Sequence, residues 1–212
     1  MSQPLAGDNI RSPRPIISRI FHQPLPGSAA LLVDRDGVIN RRIVDGYVLE
    51  VGQLVVLEAI LPLLRQATVA ATPIVIISNQ GAVGRGLVSE SELDLINTDL
   101  VDRLGHQSVE IAAIYVCPHH HAALDAADRS CSCRKPAPGL IHTATQQLSL
   151  DIERCAFIGD QPTDGQAALA AGVPARAIWE LAIETASTDE VEAVGNALGE
   201  WLGRLRSDRK ES

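Results

Sequence analysis

Residues 29–37, Ala29-Ala30-Leu31-Leu32-Val33-Asp34-Arg35-Asp36-Gly37, decide how this chain folds. Five apolar residues in a row, without polar alternation, suit a short strand buried on both faces of a sheet. Working outward, Ile74-Val75-Ile76-Ile77, Ile111 to Val116 and Ala156-Phe157-Ile158 repeat the pattern, and Arg176 to Trp179 offers a fifth strand. Helical stretches lie between them. Leu57 to Gln66 carries Pro62 near its first turn, where proline is tolerated. Ser89 and Glu92 form a capping box ahead of Leu93, Ile96, Leu100 and Leu104, which recur at helical spacing. Gly139 to Leu148, an Ala-rich run to Ala171 and Val191 to Leu205 complete the set. Strands alternating with helices predict an α/β fold, a doubly wound parallel sheet covered on both faces. In such a sheet the carboxyl ends of the strands face one crevice. Asp34, Ser78, Cys117 and Asp160 fall at those ends.

The Pro- and Gly-rich residues 1–27 read as an extended arm, residues 28–185 as the main domain and 186–212 as a closing helix and tail. Aromatic residues are 3% of the chain, so the core must come from Leu, Ile, Val and Ala. A formal net charge of −8 disfavours nucleic acid and anionic membranes as partners. No run reaches transmembrane length and the N-terminus lacks an apolar signal region, so a cytoplasmic location is expected. No heptad pattern is present, which favours a monomer.

The chemistry begins at Asp34-Arg35-Asp36-Gly37. The first carboxylate can attack phosphorus and the second can protonate a leaving oxygen. That spacing alone also suits an acidic turn. Further pieces alter the balance. Ser78-Asn79-Gln80 offers phosphoryl-group donors, Lys135 a compact cation and Gly159-Asp160 another strand-end carboxylate. Asp34, Asp160 and a backbone carbonyl suit magnesium. A second constellation pairs Cys117-Pro118-His119 with Cys131-Ser132-Cys133, four ligands of the types zinc prefers in a closed, structural site. His119, His120 and His121 are adjacent, so the spacing leaves the histidine ligand open. The metal would organise loop 117–133 and thereby place Lys135. Cys155 reads as a small core residue.

Asp34-Arg35-Asp36-Gly37-Val38-Ile39-Asn40 resembles the first motif of the haloacid dehalogenase superfamily of phosphatases. Ser78 matches the second motif, Lys135 the third and Gly159-Asp160 through Asp164 the fourth. The Cys/His loop running into Arg134-Lys135-Pro136 is similar to that of the heptose-bisphosphate phosphatases, with closely similar loops in histidinol-phosphate phosphatases. Gly81, His121 and Gln161 depart from the serine, proline and basic residue usual in that group. The resemblance implies a Rossmann-like, haloacid dehalogenase-type sheet without a large cap. It implies Asp34 as nucleophile, Asp36 as general acid and base, and magnesium held by Asp34, the Asp36 carbonyl and Asp160. It also implies Ser78 and Lys135 on the transferring phosphoryl group, Asp164 orienting Lys135 or supporting the metal site, and zinc on Cys117, His119, Cys131 and Cys133. Asn40, Asn79, Gln80 and Arg134 become candidates for substrate binding. The small phosphorylated metabolite would be a heptose 1,7-bisphosphate losing its 7-phosphate, or alternatively histidinol phosphate. The contrasting class is a zinc-stabilised binding module without catalysis. Arg85 faces either the substrate or the solvent, with solvent the preferred reading, and Arg41 and Arg42 have no readable direction.

Overall fold

A computed structural model describes residues 12–211. Six strands form one sheet: β1 (Ile17–Ile20), β2 (Leu31–Val33), β3 (Ile74–Asn79), β4 (Ile111–Cys117), β5 (Ala156–Gly159) and β6 (Ile178–Glu180). Their spatial order is β1-β4-β3-β2-β5-β6. All neighbours are parallel except β1, which runs antiparallel along the outer edge of β4. The five parallel strands are those the apolar runs predict.

The alternation of side chains divides the core in two. Leu31, Val33, Ile74, Ile76 and Ile158 face α1 (Leu61–Val69), α2 (Glu90–His106) and α5 (Thr188–Glu211). Leu32, Val75, Ile77 and Phe157 face α3 (Gly139–Gln147) and α4 (Pro162–Ala171). Both faces of the sheet are thus covered, as uninterrupted apolar strands require. Ser89 and Glu92 make the reciprocal capping box at the start of α2, whose Leu93, Ile96, Leu100 and Leu104 are all buried.

The chain leaves β2 for β3 on one side and returns to β5 on the other. The crevice between the carboxyl ends of β2 and β5 is therefore the switch point of the sheet. Only two 3-10 turns, Val51–Gln53 and Glu58–Ile60, precede α1 between β2 and β3, so no cap domain covers that crevice. The arm expected over residues 1–27 contributes β1, and residues 1–11 lie outside the described residues. The last helix extends beyond the expected Val191 to Leu205 at both ends. Among the described residues, no helix is long and apolar enough to cross a membrane.

Candidate active site and metal centres

Asp34 follows β2 directly, its amide bonded to the Ile158 carbonyl at 2.9 Å. The turn beyond it closes through Gly37 N to Asn40 O at 2.7 Å. Gly37 has φ +97°, and a Cβ there would collide with the Asp160 carboxylate, so this turn admits glycine alone. Asp36 is gripped by three side chains. Asn40 donates at 2.8 Å, Gln80 at 2.5 Å and Arg35 Nη2 at 3.1 Å. Burial by itself would raise the Asp36 pKa, but Arg35 and the amide donors of Asn40 and Gln80 hold it below the usual carboxylate range. Arg35 is wholly buried and also donates to Asn97 on α2 at 3.0 Å. Asn40 and Gln80, candidates for substrate contact, lie behind Asp36 instead, each almost fully buried. They position the carboxylate from the protein side.

Lys135 reaches Asp34 Oδ1 at 2.5 Å, Asp164 Oδ1 at 2.6 Å and the Ile77 carbonyl at 2.9 Å. Its backbone is pinned on both sides by one amide. Asn79 Oδ1 accepts from Lys135 N at 3.1 Å, and Asn79 Nδ2 donates to Lys135 O at 3.1 Å. Burial would lower the Lys135 pKa, yet Asp34 and Asp164 together raise it, so the ammonium is firmly charged. Burial raises Asp34, with Lys135 opposing and Asp164 reinforcing the shift. Asp164 does two jobs, since its second oxygen also caps α4 through Gln161 N at 3.1 Å. Ser78 is buried at the end of β3, with Gln80 donating to its hydroxyl at 2.9 Å.

The donor set fits a hard cation. Oxygens of Asp34, Asp160 and Asp164 lie within 4.8 Å of one another. Burial raises Asp160, with Arg42 opposing and Asp164 reinforcing. A stand-in cation occupies part of this ring. Arg42 Nη2 lies 2.8 Å from Asp160 Oδ1 and 3.3 Å from the Asp36 carbonyl, two groups on which the family resemblance places magnesium.

The Cys/His cluster closes on the other side of Lys135. Cys117 Sγ lies 3.7 Å from Cys131 Sγ and 3.1 Å from Cys133 Sγ. His119 Nδ1 lies 3.5 Å from Cys117 Sγ and 3.2 Å from Cys133 Sγ. A tetrahedral zinc with bonds near 2.3 Å separates sulfurs by about 3.8 Å, so these four atoms already outline such a shell. None of the cysteines is in a disulfide. The hydrogen bond to Cys117, together with burial, raises the Cys133 thiol, and a cation among the sulfurs would favour the thiolate instead. His120 turns away to accept from Ala122 N at 3.0 Å, so His119 is the histidine in the cluster. Gly81 makes room for that turn, since a Cβ there would meet His120 Cδ2 at 2.8 Å. Cys155 is fully buried.

A cavity of about 400 Å³ opens above these groups. Asp34, Asp36, Ser78, Asn79, Lys135 and Asp164 line its floor and Arg42, Arg85 and Arg134 its walls. Arg134 also donates to the His119 carbonyl at 3.0 Å. Arg85 therefore faces the cleft, not solvent alone, and its guanidinium sits over Tyr47 at 5.8 Å. Glycines on both sides gave no periodic signal for its direction. Arg42 was equally silent in sequence.

Fold and site together define a class of haloacid dehalogenase-like hydrolases, and the model of the HAD-hydrolase-like family matches residues 132–192. The D-glycero-beta-D-manno-heptose-1,7-bisphosphate 7-phosphatase of Rhodopseudomonas palustris is 37% identical over 150 residues, covering 70% of this chain and 82% of the relative. That of Yersinia pestis is 30% identical over 175 residues, covering 82% and 88%. The crystal structure of D,D-heptose 1,7-bisphosphate phosphatase from B. bronchiseptica, complexed with magnesium and phosphate, superposes with a TM-score of 0.66. It has 26% identity and covers 85% of this chain and 99% of that one. The chain belongs to the haloacid dehalogenase superfamily, in the family of heptose-bisphosphate phosphatases, and is a phosphatase.

Proposed function

We propose that this phosphatase removes the 7-phosphate of D-glycero-D-manno-heptose 1,7-bisphosphate through an aspartyl-phosphate on Asp34. The observation that carries the mechanism is the bridge made by Lys135, which sets one ammonium between Asp34 and Asp164 at 2.5 and 2.6 Å. It leaves Asp34 at the cavity floor beside Ser78, with a cation ready for the phosphoryl oxygens. The names of the relatives support the sugar substrate, and point to its β anomer.

An Asp34 oxygen attacks phosphorus as the bond to the sugar oxygen breaks. Asp36 gives its proton to that departing oxygen. Water then attacks the same phosphorus, Asp36 takes the proton from water, and inorganic phosphate leaves Asp34 free. The donors around Asp36 favour its ionised form, which suits the second half-reaction. In the first half Asp36 must enter protonated, so one of these donors has to yield its position to that proton and the leaving oxygen. Ser78 and Lys135 bind the transferring phosphoryl group. Arg134, with Arg85, supplies positive charge for the part of the substrate farther from Asp34. Asp34, Asp160 and the Asp36 carbonyl would hold magnesium, which supplies electrostatic stabilisation of the phosphoryl oxygens when bound. Cys117, His119, Cys131 and Cys133 would hold zinc as a structural ion that fixes the Lys135 loop.

Phosphate release should be measured with both anomers of the heptose bisphosphate and with histidinol phosphate. A preference of about a hundredfold in kcat/KM for a heptose, or about 2.7 kcal/mol, is expected. A comparable preference for histidinol phosphate would overturn the substrate and leave the chemistry standing.

A further inference from the structure

The zinc-site reading leaves one buried carboxylate without a role. Asp128 ends a 3-10 turn, Ala126–Asp128, within the Cys/His loop and is 2% exposed. Its partner comes from far away in sequence. Arg14 of the N-terminal arm donates its backbone N–H to Asp128 Oδ1 at 2.7 Å and its Nε to Oδ2 at 2.8 Å. Arg14 Nη1 also reaches Glu90, at the start of α2, at 3.2 Å. The arm arrives there by pairing, because Ile17 in β1 lies opposite Val116, the residue before Cys117.

On its inner side Asp128 faces His119. With His119 Nδ1 turned to the sulfurs, its Nε2 is buried and has no hydrogen-bond partner among the described residues. The carboxylate facing it is Asp128, with Oδ1 3.7 Å away. A metal-bound imidazole ordinarily donates its other N–H to a carboxylate, which fixes its tautomer and ring orientation. His119 is tied onward to the catalytic lysine, because its carbonyl accepts from Arg134, the residue before Lys135.

We propose that the N-terminal arm is a working part of the metal centre: Arg14 fixes Asp128, and Asp128 orients His119 as a zinc ligand. Both are positioning residues, and the inference rests on reading the Cys/His cluster as a zinc site. Arg14→Ala keeps the backbone bond to Oδ1 but takes the side-chain donor from Oδ2, and the buried carboxylate would then have to rotate to another partner or move toward water. Either movement withdraws the acceptor that His119 Nε2 needs.

The test is zinc retention by the full-length protein. Zinc content is measured first, followed by the rate of transfer to the chromogenic chelator 4-(2-pyridylazo)resorcinol. Arg14→Ala, Asp128→Asn and Arg19→Ala are compared with the unaltered chain, with circular dichroism to confirm folding. Arg14→Ala and Asp128→Asn are expected to release zinc about 10-fold faster or more. Arg19→Ala cuts a different anchor of the arm, its 3.0 Å contact with Asp94, and should match the unaltered chain. A cobalt-loaded Asp128→Asn protein should show an altered thiolate-to-metal absorption band. If all variants hold zinc as firmly as the unaltered chain, the role of the arm is overturned and the zinc reading survives. If Arg19→Ala releases zinc as fast as Arg14→Ala, general docking of the arm replaces the specific linkage and overturns it. If the unaltered chain carries no zinc, both readings fall.

Discussion

Replacing Lys135 with methionine takes one cation away from two buried carboxylates. Nζ contacts Asp34 at 2.5 Å and Asp164 at 2.6 Å, and those side chains are 9% and 3% exposed. Their oxygens lie within 4.8 Å of each other. At that distance two unit charges repel by about 3.5 kcal/mol at an effective dielectric near 20. Removing one partner from a buried ion pair typically costs about 3–5 kcal/mol, so both routes reach the same size. The pH dependence follows from Asp34, whose pKa burial raises above the ordinary 3.8. A carboxyl raised on folding imposes no penalty below its unfolded pKa, and stability is lost as pH rises through the folded value. Lys135 limits that loss, and without it Asp34 is raised further. The variant should therefore approach the unaltered protein near about pH 4 and fall behind as pH rises, by about 3–5 kcal/mol near pH 8. Urea melts across that range, in magnesium-free buffer with zinc retained, measure the difference. Activity should fall by about 10²-fold or more in parallel. A deficit that is the same at every pH, or under about 1 kcal/mol near pH 8, would refute the electrostatic reasoning.

Other consequences are equally direct. Asp34→Asn should keep the fold and lose turnover, because an amide cannot act as the nucleophile; activity assays beside circular dichroism check this. Arg42→Ala should tighten magnesium binding several-fold, roughly 1 kcal/mol, by vacating Asp160 and the Asp36 carbonyl, as read by manganese electron paramagnetic resonance. Stripping zinc with a chelator should lower Tm and kcat together, because the same loop carries Lys135. Magnesium affinity should weaken as pH falls, since burial raises both Asp34 and Asp160 and each must lose its proton to bind the ion; calorimetry across pH reads it.

The parallel strands and the residues at their ends were legible because burial on both faces writes itself as uninterrupted apolar runs, as in Leu31-Leu32-Val33. The Cys/His cluster was legible because the paired Cys-x-His and Cys-x-Cys spacings stand out in sequence, and the fold brings those four side chains together. What stayed hidden has physical causes. β1 is a four-residue edge strand with three exposed positions, so Ile17-Ser18-Arg19-Ile20 has no buried alternation to read. Arg35 is fully buried, contrary to the usual habit of arginine, because Asp36 and Asn97 partner it from a turn and a distant helix. Arg14, Arg42 and Arg85 act through contacts that cross the fold, and an irregular segment has no period to give their direction. Asn40 and Gln80 were recognised as belonging to the site, but only geometry reveals that they grip Asp36 from behind.

The most direct measurement is capture of the covalent intermediate. Enzyme turning over heptose 1,7-bisphosphate with magnesium is quenched in acid, reduced with borohydride, digested and examined by mass spectrometry. An aspartyl-phosphate is reduced to homoserine, so homoserine at position 34, dependent on substrate, is the expected result. Phosphate release with aspartate unchanged at position 34, or homoserine at another position, would contradict Asp34 as the nucleophile.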